Sequence, residues 1–271
     1  MLLEALNFAA SYATSPRRNA GEINSSVNLW ARARRCARDW AEHEENSKAF
    51  VQRAIEMLPQ RRVAVVLGSG LLRDVPIALL SKSFSEVRLY DLQHLASVRA
   101  WAAIKGLRNL TFECLDLSGF EALRDTPSSP PTPLAFLAEI ADLDFIVSAN
   151  LLSQIGVGVG HLMETQPNLP ADTVGRLIQA HVDGLNATAA PSCLLTDISY
   201  DVIGKSGEVL ERDDLMHGAT LPSPHTEWQW LVAPYGELDP TYKAVHRVVA
   251  IRLPAEVRKI PLHPSSNSAM N

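Results

Sequence analysis

Three groups of residues stand where a nucleotide-type ligand would need them. Val63-Ala64-Val65-Val66-Leu67 is a short apolar run of β-branched type, and it breaks at Gly68-Ser69-Gly70. Glycine lacks a Cβ, so the chain can bend sharply there and a ligand can approach the backbone closely. A helix after such a turn offers free N–H groups and a partial positive charge. Asp91 closes the next strand-like run, Val87-Arg88-Leu89-Tyr90, about twenty residues beyond the glycines, the spacing at which an acid accepts the ribose hydroxyls of an adenine nucleotide. Asp116 closes a third run, Leu110-Thr111-Phe112-Glu113-Cys114. Each feature alone suits an empty turn or a capping acid. Three at successive strand ends point to a bound adenosine-type cofactor.

The elements that must hold these residues follow from the pattern of the chain. Helices are expected over Val75 to Lys82 and over Leu92 to Lys105, the second closed by Gly106. Leu143-Asp144-Phe145-Ile146-Val147-Ser148 predicts a fourth strand, Asp172 to Thr188 a helix, and Cys193 to Ile198 a fifth strand. Strands alternating with helices imply a parallel sheet with right-handed crossovers, an α/β doubly wound Rossmann-like fold. Thr126 to Pro133 carries too many prolines for a helix or central strand and must be a surface excursion. Near the end, Glu227 to Val232 and Ala244 to Ile251 are joined by a link too short for a crossover helix, so they should pair antiparallel.

The first 59 residues read as an N-terminal helical cap. Asn24-Ser25-Ser26 offers N-cap side chains to a helix with Val27, Trp30, Ala33, Ala37, Trp40 and Ala41 on one stripe, and a second helix, Ala49 to Leu58, stops at Pro59. Glu42 comes four residues after Arg38, so the arginines Arg32, Arg34, Arg35 and Arg38 suit a salt-bridged solvated face better than a nucleic-acid surface. Residues 60–260 form the Rossmann-like domain, and the Ser/Asn-rich stretch 261–271 reads as a disordered tail.

The chain has 271 residues, 46% hydrophobic and 20% charged, with a formal net charge of -5. That composition advertises neither nucleic acid nor an anionic membrane as partner, and no apolar run approaches the roughly 20 residues of a membrane span. The start of the chain lacks the basic leader and apolar core of a secretory signal. Cys36, Cys114 and Cys193 form no C-x-x-C pair, and Cys114 and Cys193, each inside an apolar run, suit buried reduced thiols. A soluble cytoplasmic protein is expected.

The residues after the turn decide which adenosine cofactor is meant. A dinucleotide fingerprint wants a small residue at the sixth position of G-x-G-x-x-G, where this chain has Arg73, which speaks against a nicotinamide-dependent oxidoreductase. No Gly-Lys-Ser/Thr comes next, so a P-loop is excluded as well. The chain instead resembles the class I S-adenosyl-L-methionine-dependent methyltransferases over roughly Val63 to Leu253. Val65-Val66-Leu67-Gly68-Ser69-Gly70 is similar to the family's first motif, whose glycine turn holds the methionine part of the cofactor. Leu89-Tyr90-Asp91-Leu92 resembles the second, with Asp91 on the ribose, and Leu115-Asp116-Leu117 the segment flanking the adenine. Asp144 to Asn150 resembles the fourth strand, whose exit faces the transferable methyl, and the closing antiparallel pair is also a family feature. The chain departs from the family at Val66, where an acid is common, at Leu72, where a further glycine is common, and after Asn150, where the amine-methylating tetrad is missing.

The resemblance implies S-adenosyl-L-methionine bound by Gly68, Ser69, Gly70, Asp91, Leu92, Asp116, Leu117 and Asn150. It implies in-line methyl transfer, in which the protein mainly aligns the reactants and excludes water. With no RNA- or protein-recognition segment in the chain, the expected acceptor is a small molecule, and the alternative is a catalytically degenerate scaffold. Asn150 and Asp197 are the candidate catalytic residues, Asp197 as orienter or base. Gln154, Ser199, Tyr200 and Asp201 lie near the same strand exits, and His43 or Trp40 would reach the substrate if the cap acts as a lid. Trp228 and Trp230 alternate on one strand face and suit core packing. His161, His217 and His225 are placed in loops near this edge; none has zinc-motif spacing, so no metal site is expected.

Overall fold

A computed structural model of the chain describes residues 1–126, 130–164 and 169–253. The expected tail, 261–271, lies outside the described residues, as do parts of the proline-rich excursion. Strands β1 (Val63–Leu67), β2 (Glu86–Asp91), β3 (Leu110–Cys114), β4 (Leu143–Ala149), β5 (Ser192–Gly204), β6 (Val209–Asp214), β7 (Thr226–Ala233) and β8 (Tyr242–Leu253) form one eight-stranded sheet. Its order is β3-β2-β1-β4-β5-β8-β7, with β6 paired to the far half of β5. Strands β1 to β5 pair parallel, and β8 runs antiparallel to both β5 and β7. The Rossmann-like sheet with an antiparallel C-terminal pair is thus the observed fold.

The strand sequences explain the two cores. All five residues of β1 are buried, as a strand covered on both faces requires. Val65 and Leu67 face one cluster, with α7 (Leu151–Glu164) and α8 (Thr173–Ala187). Ala64 and Val66 face the other, with α2 (Ala20–Arg35), α3 (Ala41–Glu56), α4 (Ile77–Ser83) and α5 (Ala96–Ile104). The short α6 (Phe120–Asp125) completes the first layer through Phe120 and Leu123. Because β1 lies between β2 and β4, the chain crosses over in opposite directions on its two sides. In open α/β sheets such a switch point is where a ligand crevice forms, here at the carboxyl ends of β1, β2 and β4.

The N-terminal helices differ from expectation in three ways. A helix unmarked by sequence signals, α1 (Leu2–Thr14), precedes the others. It lies across the start of α5, where Ser11 Oγ accepts from the Ala96 N–H at 2.9 Å and Asn7 Oδ1 from the Ser97 N–H at 3.3 Å. The cap of α2 is Asn19, whose Oδ1 accepts from the N–H groups of Gly21 and Glu22, and not the Asn24-Ser25-Ser26 segment, which lies inside the helix. Trp30 and Trp40 do not share a helix stripe: α2 ends at Arg35, and Trp40 is the N-cap residue of α3. The break lets Trp40 turn onto β7, where its Nε1 donates to the Val232 carbonyl at 3.0 Å.

Other corrections concern the arginines and the late strands. Arg32 and Arg35 both reach Glu237 in the β7–β8 connection, so they staple the cap to the sheet and do not form a helix-face ladder with Glu42. β5 runs to Gly204, well past Ile198, and β6, exposed along its whole length, pairs with the extension. Asp201 therefore sits in a strand, ion-paired to Arg212 at 2.7 Å. His161 lies in α7 and not in a loop. Cys36 and Cys193 are buried free thiols, whereas Cys114 is half-buried. No helix among the described residues is long and apolar enough to cross a membrane.

Candidate active site

Gly68 and Gly70 both adopt positive φ, +72° and +43°, so the turn after β1 uses the conformations that favour glycine. Gly68 is also where two strand exits touch. A Cβ there would lie 2.9 Å from the Ala149 carbonyl oxygen and 3.0 Å from the Leu151 Cβ. Gly70 is different: a Cβ would meet nothing nearer than 3.9 Å, so its surroundings are open. Leu72, where the resembled family often has glycine, also has positive φ, +58°, and is buried. The chain keeps the left-handed conformation of that position and offsets its steric cost with a core side chain.

The turn is tied to the second strand. The Gly68 and Ser69 N–H groups donate to the Tyr90 carbonyl at 2.9 and 3.2 Å. The Gly70 N–H donates to Asp91 Oδ2 at 2.7 Å. Burial pushes the Asp91 carboxyl up to about 6, against the opposing pull of the Gly70, Leu92 and Gln93 N–H groups. Ser69 is held from behind by His94, with Ser69 Oγ 3.5 Å from Nδ1 and Nε2 3.0 Å from the Glu113 carbonyl. Since a carbonyl only accepts, Nε2 carries the proton and Nδ1 is free to accept from Ser69. Burial drives the His94 pKa down to about 4, so the ring is neutral at pH 7.

The remaining predicted residues divide. Asp116 caps a local turn, with Oδ1 accepting from the Ser118 N–H at 2.9 Å and from its Oγ at 2.6 Å. Leu117 is packed in the core, so only its backbone can line the crevice, while the Leu92 side chain is 39% exposed. Asn150 sits at the exit of β4 with φ +49°, and its N–H donates to the Leu195 carbonyl at 2.8 Å. Its Nδ2 donates to Asp74 Oδ2 at 2.9 Å, whereas its Oδ1 is buried with no hydrogen-bond partner. Gln154 is exposed on α7 and joins none of this. Among the described residues no cluster of His, Cys, Asp and Glu could hold a metal ion.

Sequence reasoning marks His43 only as a lid residue. In the structure it is 1% exposed and centres a network. The Trp228 indole N–H donates to His43 Nδ1 at 3.1 Å, which leaves the proton of the neutral ring on Nε2. That nitrogen lies 3.3 Å from Asp74 Oδ1 and 3.2 Å from Asn150 Nδ2. Burial works to raise the Asp74 carboxyl, but the His43 and Asn150 hydrogen bonds outweigh it and hold the pKa below the usual carboxylate range. The ring of Trp230 stacks on His43 with centroids 4.0 Å apart and planes within 8°. Both tryptophans are half-buried and face the cap. Arg73, the residue that spoke against a dinucleotide, is also claimed by the cap, its Nε donating to Glu44 Oε1 at 2.6 Å.

Asp197, on β5, is 3% exposed and tightly bound. Ser153 Oγ on α7 donates to its Oδ1, and His246 Nδ1 on β8 lies 2.6 Å from its Oδ2. The His246 ring stacks against Tyr200 at 5.6 Å and meets the edge of Trp230 at 5.9 Å. Neither Asp74 nor His246 was singled out from sequence. His246 left one signal: it alternates with Ala244, Val248 and Ala250, three buried apolar residues of the same strand face.

The sheet order, the glycine turn and the acids at the strand ends define a Rossmann-like fold with a crevice at its switch point. No family model and no curated protein matches the chain. Solved structures do match. The DhpI–SAH complex is 16% identical, with 82% of this chain and 95% of that chain covered and a TM-score of 0.38. A 1,6-didemethyltoxoflavin-N1-methyltransferase from Burkholderia thailandensis, with 1,6-didemethyltoxoflavin and S-adenosylhomocysteine bound, is 14% identical over 84% and 89%, at 0.39. The N-methyltransferase NodS from Bradyrhizobium japonicum is 12% identical over 78% and 86%, at 0.38. At such scores the likeness carries no residue or functional argument.

Proposed function

We propose that the chain is an S-adenosyl-L-methionine-dependent methyltransferase acting on a small-molecule acceptor. The observation that carries this reading is the joint between the turn and the second strand: Gly70 in a left-handed conformation, its N–H on Asp91, beside Asn150 at the exit of β4. The Asp91 carboxyl, its pKa pushed up to about 6 by desolvation, accepts only main-chain N–H groups, and two ribose hydroxyls would add donors that favour its anion. The orphaned Asn150 Oδ1 lacks a donor too, and an ammonium or amide group at the methionine end would satisfy it. The residues present therefore fit this cofactor. Gly68, Ser69 and Gly70 would line its methionine part, Asp91 its ribose, and Leu92, Asp116 and the Leu117 backbone its adenine.

The bound cofactor supplies an electrophilic methyl on a sulfonium. The chain has to orient the acceptor and keep water out. Asn150 is fixed by Asp74 and its own backbone bond, and Asp197 by Ser153 and His246, so both are rigid. In this reading residues 1–59 form a lid, because His43 and Glu44 bring α3 onto Asn150 and Arg73. Calorimetry with S-adenosylmethionine and S-adenosylhomocysteine tests the proposal. Binding of both is expected; absence of binding by folded protein at millimolar ligand would remove it.

A further inference from the structure

The Asp197–His246 pair has the form of an oriented base. Asp197 is nearly sealed from solvent, its side chain 4% exposed, and Ser153 holds its second oxygen. A buried carboxylate 2.6 Å from Nδ1 fixes the tautomer with the proton on Nδ1 and the lone pair on Nε2. Nε2 has no hydrogen-bond partner among the described residues, and the His246 side chain, 19% exposed, lines a surface cavity together with Ser199, Tyr200 and Trp228. Aromatic rings neighbour it: Tyr200 stacks on the imidazole at 5.6 Å, and Trp230 lies steeply inclined to it at 5.9 Å. Trp230 Nε1 is itself buried without a partner, a donor left over beside the base. Through Trp230 and His43 this cluster is continuous with Asn150 at the crevice.

We infer that His246 is the general base for an aromatic hydroxyl acceptor, with Asp197 as its positioning residue. This rests on the methyltransferase reading and names its acceptor class. A hydroxyl carries a proton that must leave as its oxygen attacks; a neutral amine can attack with its lone pair and lose its proton afterwards. His246 Nε2 takes the hydroxyl proton while the oxygen forms a bond to the methyl carbon. The carbon–sulfur bond breaks with its electron pair remaining on sulfur, giving an aryl methyl ether, a thioether and an imidazolium that returns its proton to solvent. The groups in contact with His246 are Asp197 and Tyr200 from β5 and Trp230 from β7, with the Tyr200 hydroxyl engaged by Glu211, and the cavity that His246 lines also carries the ion-paired Asp201 and Arg212, and Glu227 and Arg247.

The test uses para-nitrophenol, whose anion absorbs visible light, with the full chain and S-adenosylhomocysteine present. Wild type should show the bound anion at a pH about one unit or more below that required in free solution. His246→Gln should lose that shift, and Asp197→Asn should weaken it, while both keep affinity for S-adenosylhomocysteine within about twofold, which also reports that they are folded. Methyl transfer to the same phenol should fall roughly 10²-fold or more in His246→Gln, with the deficit shrinking as pH rises and the phenol ionises unaided. No shift in wild type, an unchanged shift in folded variants, or a loss of rate equal at every pH would overturn the inference. Loss of S-adenosylhomocysteine binding with an intact phenolate shift would instead remove the methyltransferase reading and leave the base standing.

Discussion

The two ends of the crevice are built from different materials. Around β1 and β2 the donors are mainly main-chain groups: the N–H groups of Gly68, Ser69 and Gly70 are spent on the Tyr90 carbonyl and the Asp91 carboxylate. Around β5, β7 and β8 they are made by side chains from distant segments, Trp228 with His43, Ser153 and His246 with Asp197. A backbone site tolerates change in most side chains but not in its glycines. A side-chain site can be respecified by substitution while the sheet stays as it is. The difference suits a fixed cofactor at one end and a chain-specific acceptor at the other.

Substitutions at each end put that contrast to the test. Gly68→Ala has the largest expected effect, because the new Cβ meets the Ala149 carbonyl at 2.9 Å in a left-handed residue. Roughly 3 kcal/mol of stability should be lost in denaturant unfolding. A wild-type midpoint would show that the backbone end is not constrained as described. Asp91→Ala should weaken S-adenosylhomocysteine binding by about 1–3 kcal/mol.

The same carboxyl gives a pH test. With its folded pKa raised from the ordinary carboxyl value of 3.8 to about 6, Asp91 binds its proton more tightly in the folded chain. Its contribution to stability is present below the unfolded value and lost as pH rises through about 6. Ligand hydroxyls reverse that preference by favouring the anion, so binding should release protons near pH 6, a release calorimetry in buffers of different ionisation enthalpy detects. Proton-neutral binding there would take the ribose away from Asp91.

At the side-chain end, His43→Ala strips Asp74 and the Trp228 indole of a partner and should cost about 1–2 kcal/mol of stability. Asp74, whose folded pKa is depressed, then loses a stabilising contact that is present above the unfolded carboxylate range and fades as pH falls through the folded value. The variant's deficit should therefore narrow in acid; a deficit constant with pH would show the network to be packing alone. Arg35→Ala removes an exposed guanidinium from a Glu237 that Arg32 still reaches, and should cost less than about 1 kcal/mol; more would mark the cap staple as stronger than a surface pair.

Legibility in the sequence divides along the same line. The strand runs at Val63 and Leu143, and the closing pair, announced themselves because buried strands are continuous or alternating in apolar residues. β6 did not, since Val-Leu-Glu-Arg-Asp-Asp is an exposed edge with no buried face to encode. α7 was obscured by Gly156, Gly158 and Gly160; at Gly156 a Cβ would lie 3.1 Å from the His217 ring, so packing overrode helix propensity there. Gly68, Gly70 and Asp91 were legible because a local turn brings them together. His43, Asp74, Asn150 and Trp228 were not legible as a set, since only the fold makes them neighbours.

The docking of the cap has a consequence in time. Its bonds to β7 and the connection after it join residues 185, 192 and 202 positions apart: His43 to Trp228, Trp40 to Val232 and Arg35 to Glu237. On the ribosome the first three helices emerge early and wait for the last two strands before His43 has its tryptophan. The side-chain network around His43 is therefore complete only after β7 and the connection that follows it have been made.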